Sequence, residues 1–112
     1  MNLADIAQRL ELQVCAGADR VGKKEVTGGY ACDLLSYVMA NAREGNLWLT
    51  VQGHPNIVAV ASLVNLAGIV VTEGAKIDPA TVEKANQEGV PLLASPLNTY
   101  TIAGRLYELG VM

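Results

Sequence analysis

Phenylalanine is absent from this chain of 112 residues, tryptophan and histidine each occur once, and only 17% of the residues are charged. Without phenylalanine the core has to be built from Leu, Val, Ile and Ala, which suits an α/β sandwich in which helices cover a sheet. Little charge beside 51% hydrophobic residues excludes intrinsic disorder, which requires the opposite balance. Eight basic and eleven acidic residues leave a net charge of −3, which gives no general attraction to nucleic acid or to an anionic membrane. The two cysteines, Cys15 and Cys32, match no metal-ligand or redox spacing, so no metal or cofactor is expected, and Cys32 reads as a small core residue. Long hydrophobic runs are missing too. The longest, Ile57 to Val64, contains Ser62 and is too short to span a bilayer. The opening Met1-Asn2-Leu3-Ala4-Asp5-Ile6 has neither the basic nor the apolar region of a secretory signal, so a cytoplasmic protein with reduced thiols is expected. No linker, low-complexity run or internal repeat interrupts the chain, which predicts a single domain over residues 1–112.

What is present is apolar periodicity that alternates between helical and extended patterns. Leu3, Ile6, Ala7 and Leu10 mark one face of a first helix, with Asn2 and Asp5 at its amino-terminal cap, and Leu12 to Cys15 follows as a strand. Leu34, Leu35, Val38, Met39 and Ala42 form the stripe of a helix ending before Gly45. Leu47-Trp48-Leu49-Thr50-Val51 alternates as a strand, with Trp48 and Thr50 on the face opposite the leucines, and Trp48 reads as packing. From Pro55 to Leu66 a helix is apolar on nearly every side. A domain this small has difficulty burying such a helix completely, so Ile57, Val60, Ala61 and Val64 are expected to meet a second copy in a homodimer. Gly68 to Thr72 reads as a strand buried on both faces. Asp78-Pro79 caps and opens a helix that Gly89 closes, Pro91 to Ala94 is the last strand, and Ile102, Ala103, Leu106 and Leu109 line a final helix stopping at Gly110.

Strands separated by helices should pair in parallel, which gathers every strand-to-helix loop at one edge of the sheet. The loops expected there supply Thr27, Gly28, Gly29, His54, Asn56, Thr72, Ser95 and Thr99 as candidate ligand-binding residues. Glycines, hydroxyls and the N–H groups of helix starts suit an anion such as a phosphate or carboxylate. Helix caps and turns need the same residue types. His54 sits at a helix start, where it could bind a ligand, relay a proton or accept a phosphoryl group, with Thr27, Thr72 or Ser95 as the neighbours catalysis would require. No such constellation is evident in the sequence, so no catalytic residue is assigned and a small enzyme using His54 stands as an alternative.

The segment Gly17-Ala18-Asp19-Arg20-Val21-Gly22-Lys23-Lys24 has the spacing of a phosphate-binding P-loop except at its end, where Lys24 replaces the Ser or Thr that would ligate magnesium. Glu25 to Gly29 does not begin the helix that a P-loop needs, so the stretch reads as a basic loop feeding a glycine turn at the functional edge. Asp19-Arg20 and Thr27-Gly28-Gly29 nevertheless carry a resemblance. Together with Asp33-Leu34-Leu35-Ser36, Gln52-Gly53-His54 through Ala61, and Ala103-Gly104-Arg105-Leu106-Tyr107, they resemble the DRTGG domain family over most of the chain. The resemblance implies a three-layer α/β sandwich with a mainly parallel sheet of four or five short strands. That fold is similar to the amino-terminal domain of HPr kinase/phosphorylase and to the uridine-nucleotide-binding amino-terminal domain of Mur ligases. Neither domain performs its enzyme's chemistry. The implied role is therefore a non-catalytic regulatory or ligand-sensing and dimerisation module acting with a partner enzyme or kinase-like protein. A domain of the Mur type, binding a nucleotide or phosphorylated metabolite, is the alternative.

Overall fold

The computed structural model describes residues 1–112, and its helix boundaries follow local capping chemistry. Helix α1 (Leu3–Arg9) starts where the Asn2 side-chain oxygen accepts the Ala4 N–H at 2.8 Å, and it turns Leu3, Ile6 and Ala7 inward. Strand β1 (Gln13–Ala16) leads into a single helical turn, α2 (Ala18–Val21), and then into strand β2 (Gly28–Ala31). Helix α3 (Leu35–Asn41), strand β3 (Asn46–Thr50), helix α4 (Asn56–Val64) and strand β4 (Gly68–Val71) follow in regular alternation. Helix α5 (Pro79–Glu88) has Asp78 as its cap, accepting the Ala80 N–H at 2.9 Å, and ends at Gly89, whose φ of 68° is a conformation glycine adopts without penalty. Strand β5 (Leu92–Ala94) and helix α6 (Thr99–Glu108), capped by Asn98, complete the order.

The five strands form one sheet in the order β1-β5-β4-β3-β2. Strands β2, β3, β4 and β5 are parallel, as the alternation with helices predicts. Strand β1 departs from that expectation: it pairs antiparallel with β5, Gln13 opposite Ala94 and Ala16 opposite Leu92. The reason lies in its connection. Residues 17–27 link the end of β1 to the start of β2, and in the antiparallel arrangement both points lie at the same edge, where β3, β4 and β5 also begin. A parallel β1 would force this link to climb the height of the sheet.

Side chains alternate across the sheet and build two cores. Leu47, Leu49, Val70 and Leu93 face α1 and α6, while Trp48, Ile69, Val71 and Leu92 face α3, α4 and α5. Each of these buried side chains contributes roughly 1.5–3 kcal/mol of hydrophobic stabilisation against an unfolded, exposed reference. Strand β4 is buried throughout. Trp48 is fully buried, and its indole N–H donates to the Cys32 carbonyl at 2.8 Å, so it packs as expected. Cys32 itself is half-buried against the same core, short of full burial.

Helix α4 corrects the expected dimer surface. Ile57, Val60 and Ala61 are buried inside this chain and Val64 is half-buried, because α4 lies on the sheet between α3 and α5. Only its outer strip faces solvent, with Leu63 71% exposed. Helix α3 errs the other way: of its expected stripe only Val38 is fully buried, and Leu34 and Met39 are exposed, because α3 is a short helix beside the edge strand. No helix is long and apolar enough to cross a membrane.

Candidate functional site

The parallel strands end at one edge of the sheet, and the residues gathered there form a hydrogen-bonded polar layer. Thr50 closes β3 and donates its hydroxyl to Asp33 at 2.8 Å, and the same carboxylate oxygen accepts the Val51 N–H at 2.9 Å. Gln52 adds a bond from its side-chain amide to the Asp33 carbonyl. Thr72, just past β4, has its hydroxyl 2.6 Å from that of Thr99 and donates to the Thr50 carbonyl at 3.4 Å. The Thr99 N–H donates to Glu73 at 2.9 Å. Ser95, just past β5, accepts the Leu97 N–H at 3.1 Å. Thr50, Thr72, Thr81 and Ser95 are the only buried polar side chains in the protein, and every buried polar side-chain atom has a partner. Burial makes those partners obligatory, since an unpaired hydroxyl there would cost about 1–3 kcal/mol.

Thr72, Ser95, Asn56, His54 and Thr99 thus lie along one edge, as the loop reading expects. The hydroxyls of Thr72 and Ser95 are turned inward to hold loops together. His54 is exposed, and its Nδ1 accepts the Asn56 N–H at 3.2 Å. Beside it opens a cleft of about 450 Å³ lined by Gln52, Gly53, His54, Lys76, Asp78 and Pro79. From sequence, Asp78 stands out only as a helix cap and Lys76 not at all. They belong to the β4–α5 connection, and nothing local says that it folds back beside His54. The spatial reason is Gly53: its carbonyl accepts the Asp78 N–H at 3.0 Å and the Thr81 hydroxyl at 2.7 Å, drawing the two loops together. Asp33 also escaped notice as an organiser, because its role depends on the β2–β3 register.

Thr27, Gly28 and Gly29 are elsewhere, which corrects the expectation that they form a turn at this edge. Gly28 and Gly29 are the first residues of β2, paired with Asn46 and Leu47 at the start of β3, so Thr27 lies at the opposite edge of the sheet. Its hydroxyl donates to the Glu44 carbonyl at 3.0 Å, and its N–H donates to the Gly45 carbonyl at 2.9 Å. The basic segment before it is also not a simple loop, since residues 18–21 form a helical turn. Gly17 has a φ of 65°, donates its N–H to Asn86 at 2.8 Å, and leaves no room for a side chain: a Cβ would sit 2.5 Å from the Val90 carbonyl oxygen. The Arg20 guanidinium lies across Gly89 at the carboxyl end of α5, 3.9 Å from Asp19. A catalytic grouping of His54 with Thr27 and Ser95 is therefore not assembled. Thr27 is a sheet's height away, and the Ser95 hydroxyl serves its own turn.

Elsewhere, no group of three His, Cys, Asp or Glu side chains is placed to hold a metal ion. The half-buried Cys15 thiol has its pKa pushed up by desolvation, which favours the neutral form.

Comparison with known proteins agrees with this architecture. The structure is similar to the crystal structure of the CBS and DRTGG domains of the regulatory region of Clostridium perfringens pyrophosphatase, complexed with its activator diadenosine tetraphosphate. The TM-score is 0.70 at 16% sequence identity, over 94% of this chain and 45% of that one. At that identity the likeness concerns the fold, and this chain spans less than half of its solved neighbour. No curated protein matches the sequence. The family model of the DRTGG domain matches residues 5–109, from α1 to the end of α6, and this chain belongs to the DRTGG domain family.

Proposed function

We propose that this chain is a non-catalytic regulatory module that senses a small anionic ligand or nucleotide, assembles as a homodimer and acts with a partner enzyme. The observation that carries this reading is the DRTGG match across residues 5–109, joined to a fold shared with a regulatory region that binds a nucleotide activator. The site chemistry supports it: the hydroxyls at the carboxyl-terminal edge serve loops, and the His54 Nδ1 that would act as a general base is occupied by the Asn56 N–H.

For the dimer, one exposed apolar surface is the outer side of the α3–α4 layer, with Tyr37 on α3 and Leu63 on α4; Tyr100 and Tyr107 on α6 are exposed as well. Light scattering coupled to size-exclusion chromatography is expected to give twice the monomer mass, and Leu63→Asp is expected to halve it. A strict monomer in concentrated samples would remove the dimer from the proposal.

Sensing is tested by thermal unfolding in a panel of nucleotides, dinucleoside polyphosphates, sugar phosphates and dicarboxylates. At a hundredfold excess over its Kd, a ligand that binds the folded state adds about 2.7 kcal/mol and raises the unfolding temperature by several degrees. A panel that moves nothing counts against sensing, and against the Mur-type nucleotide reading with it.

A further inference from the structure

We propose that the cleft between the β3–α4 loop and the segment entering α5 binds the phosphoryl group of a small molecule through Lys76 and His54. This rests on the ligand-sensing reading above and adds the chemical class of the ligand and the place where it binds.

The cleft, about 450 Å³ and open to solvent, is lined by Gln52, Gly53, His54, Lys76, Asp78 and Pro79, four of which carry hydrogen-bonding side chains that suit a polar ligand. Its frame is held by protein hydrogen bonds. Gly53 ties the two walls through its carbonyl, and a Cβ at Gly53 would collide with the Lys76 carbonyl, so the two backbones touch only because this residue is glycine. His54 enters with a defined tautomer. Because Nδ1 accepts the Asn56 N–H, the neutral ring carries its proton on Nε2, a donor with no partner in the protein.

Charge completes the argument. The protein's ion pairs join the Met1 amine to Glu25 and Arg20 to Asp19, so the Lys76 ammonium has no carboxylate partner. The one carboxylate in the cleft, Asp78, already accepts the Ala80 N–H as the cap of α5. Lys76 and His54 line the same cleft, and neither the Lys76 ammonium nor the His54 Nε2–H has a partner in the protein. A phosphoryl group offers up to two negative charges and several acceptor oxygens on a single centre, enough to satisfy both donors in charge-assisted bonds. Inorganic phosphate and the phosphates of a nucleotide share that chemistry.

His54 is the only histidine, so its imidazole Hε1 proton gives one assignable NMR signal. The full chain would be titrated with inorganic phosphate, ATP and citrate while that signal is followed. The expected result is saturable movement with a phosphate-bearing ligand, weakened about tenfold or more in Lys76→Ala by loss of a charge-assisted bond. Lys23→Ala and Lys24→Ala, both in the link at the opposite edge, are expected to leave the affinity unchanged. Saturation by inorganic phosphate means that the phosphoryl group suffices, whereas saturation by ATP alone means that the nucleoside contributes. Equal response to citrate, no response to either phosphate compound, or unchanged affinity in Lys76→Ala overturns the proposal. A ligand that stabilises the protein against heat while the His54 signal stays fixed would overturn this site and leave the sensing role standing.

Discussion

The two edges of the sheet are held together by different means. At the carboxyl-terminal edge lie the protein's four buried polar side chains, each hydrogen-bonded, with Asp33 and Glu73 tying loop to loop. At the amino-terminal edge no polar side chain is buried; Gly17 packs against the Val90 backbone and Gly45 against the Thr27 side chain, and close glycine packing is shared with the other edge, where Gly53 meets Lys76. The signature residues that name the family fall at this second edge. Arg20 covers the end of α5, and Thr27 holds the turn into β3. The lesson is that the most recognisable part of the sequence joins the fold together, while the polar cleft opens at the other end of the strands.

Substitution tests this contrast. The largest effect is expected from Gly17→Ala, which combines a clash with the Val90 carbonyl and a left-handed φ of 65°. Overpacking and backbone strain together predict a loss of about 3–4 kcal/mol in urea unfolding, and a loss below about 1 kcal/mol would mean that the edge can relax. Gly53→Ala should cost somewhat less, about 3 kcal/mol, since its clash with the Lys76 carbonyl is the closer of the two but its backbone is not left-handed. It separates the edges in another way, because it should also abolish the phosphate response of His54. A Gly53→Ala protein that keeps that response would show that the cleft does not depend on the Gly53 contact. Arg20→Ala should cost only about 0.5 kcal/mol, because its carboxylate contact is long and solvent-exposed. Any change in ligand affinity in that variant would couple the two edges and break the contrast.

The smallest effect concerns Cys15, on the strand that turns the chain back to the amino-terminal edge. Burial raises its thiol pKa in the folded state, so the neutral thiol contributes stability that is fully present below the unfolded thiol value of about 8.5. That contribution is lost as the pH rises through the folded value. Alkylation of Cys15 at pH 8.5 should accordingly be slower in the native protein than in urea, as peptide mapping would measure.

Much of the architecture was legible in the sequence because its signals are local. The Asn2 and Asp78 caps, the Gly89 stop, the alternation around Trp48 and the uninterrupted apolar strand at Gly68 each depend on residues within a turn or two. The site was legible only in part. The position of His54 and the small-residue loops at Thr72 and Ser95 follow from alternation of strand and helix. The separation of Thr27 from His54 does not, because it depends on whether Thr27-Gly28-Gly29 precedes a strand or follows one. Glycines in a strand lack the β-branched or aromatic side chains that mark one. Lys76 was hidden for a related reason: its connection is bent toward His54 by bonds to Gly53, far away in sequence.

By itself, the sequence determined the types and order of the elements other than α2 and β2, the largely aliphatic character of the two cores and membership of the family, since these depend on periodicity and short motifs. Only the tertiary structure decided that β1 runs antiparallel, that Ile57 and Ala61 face inward, and that Arg20 and His54 stand at opposite ends of the sheet. Those outcomes depend on which distant backbones pair and which faces they leave uncovered, and a hydrophobic pattern specifies that a face is buried without specifying what buries it.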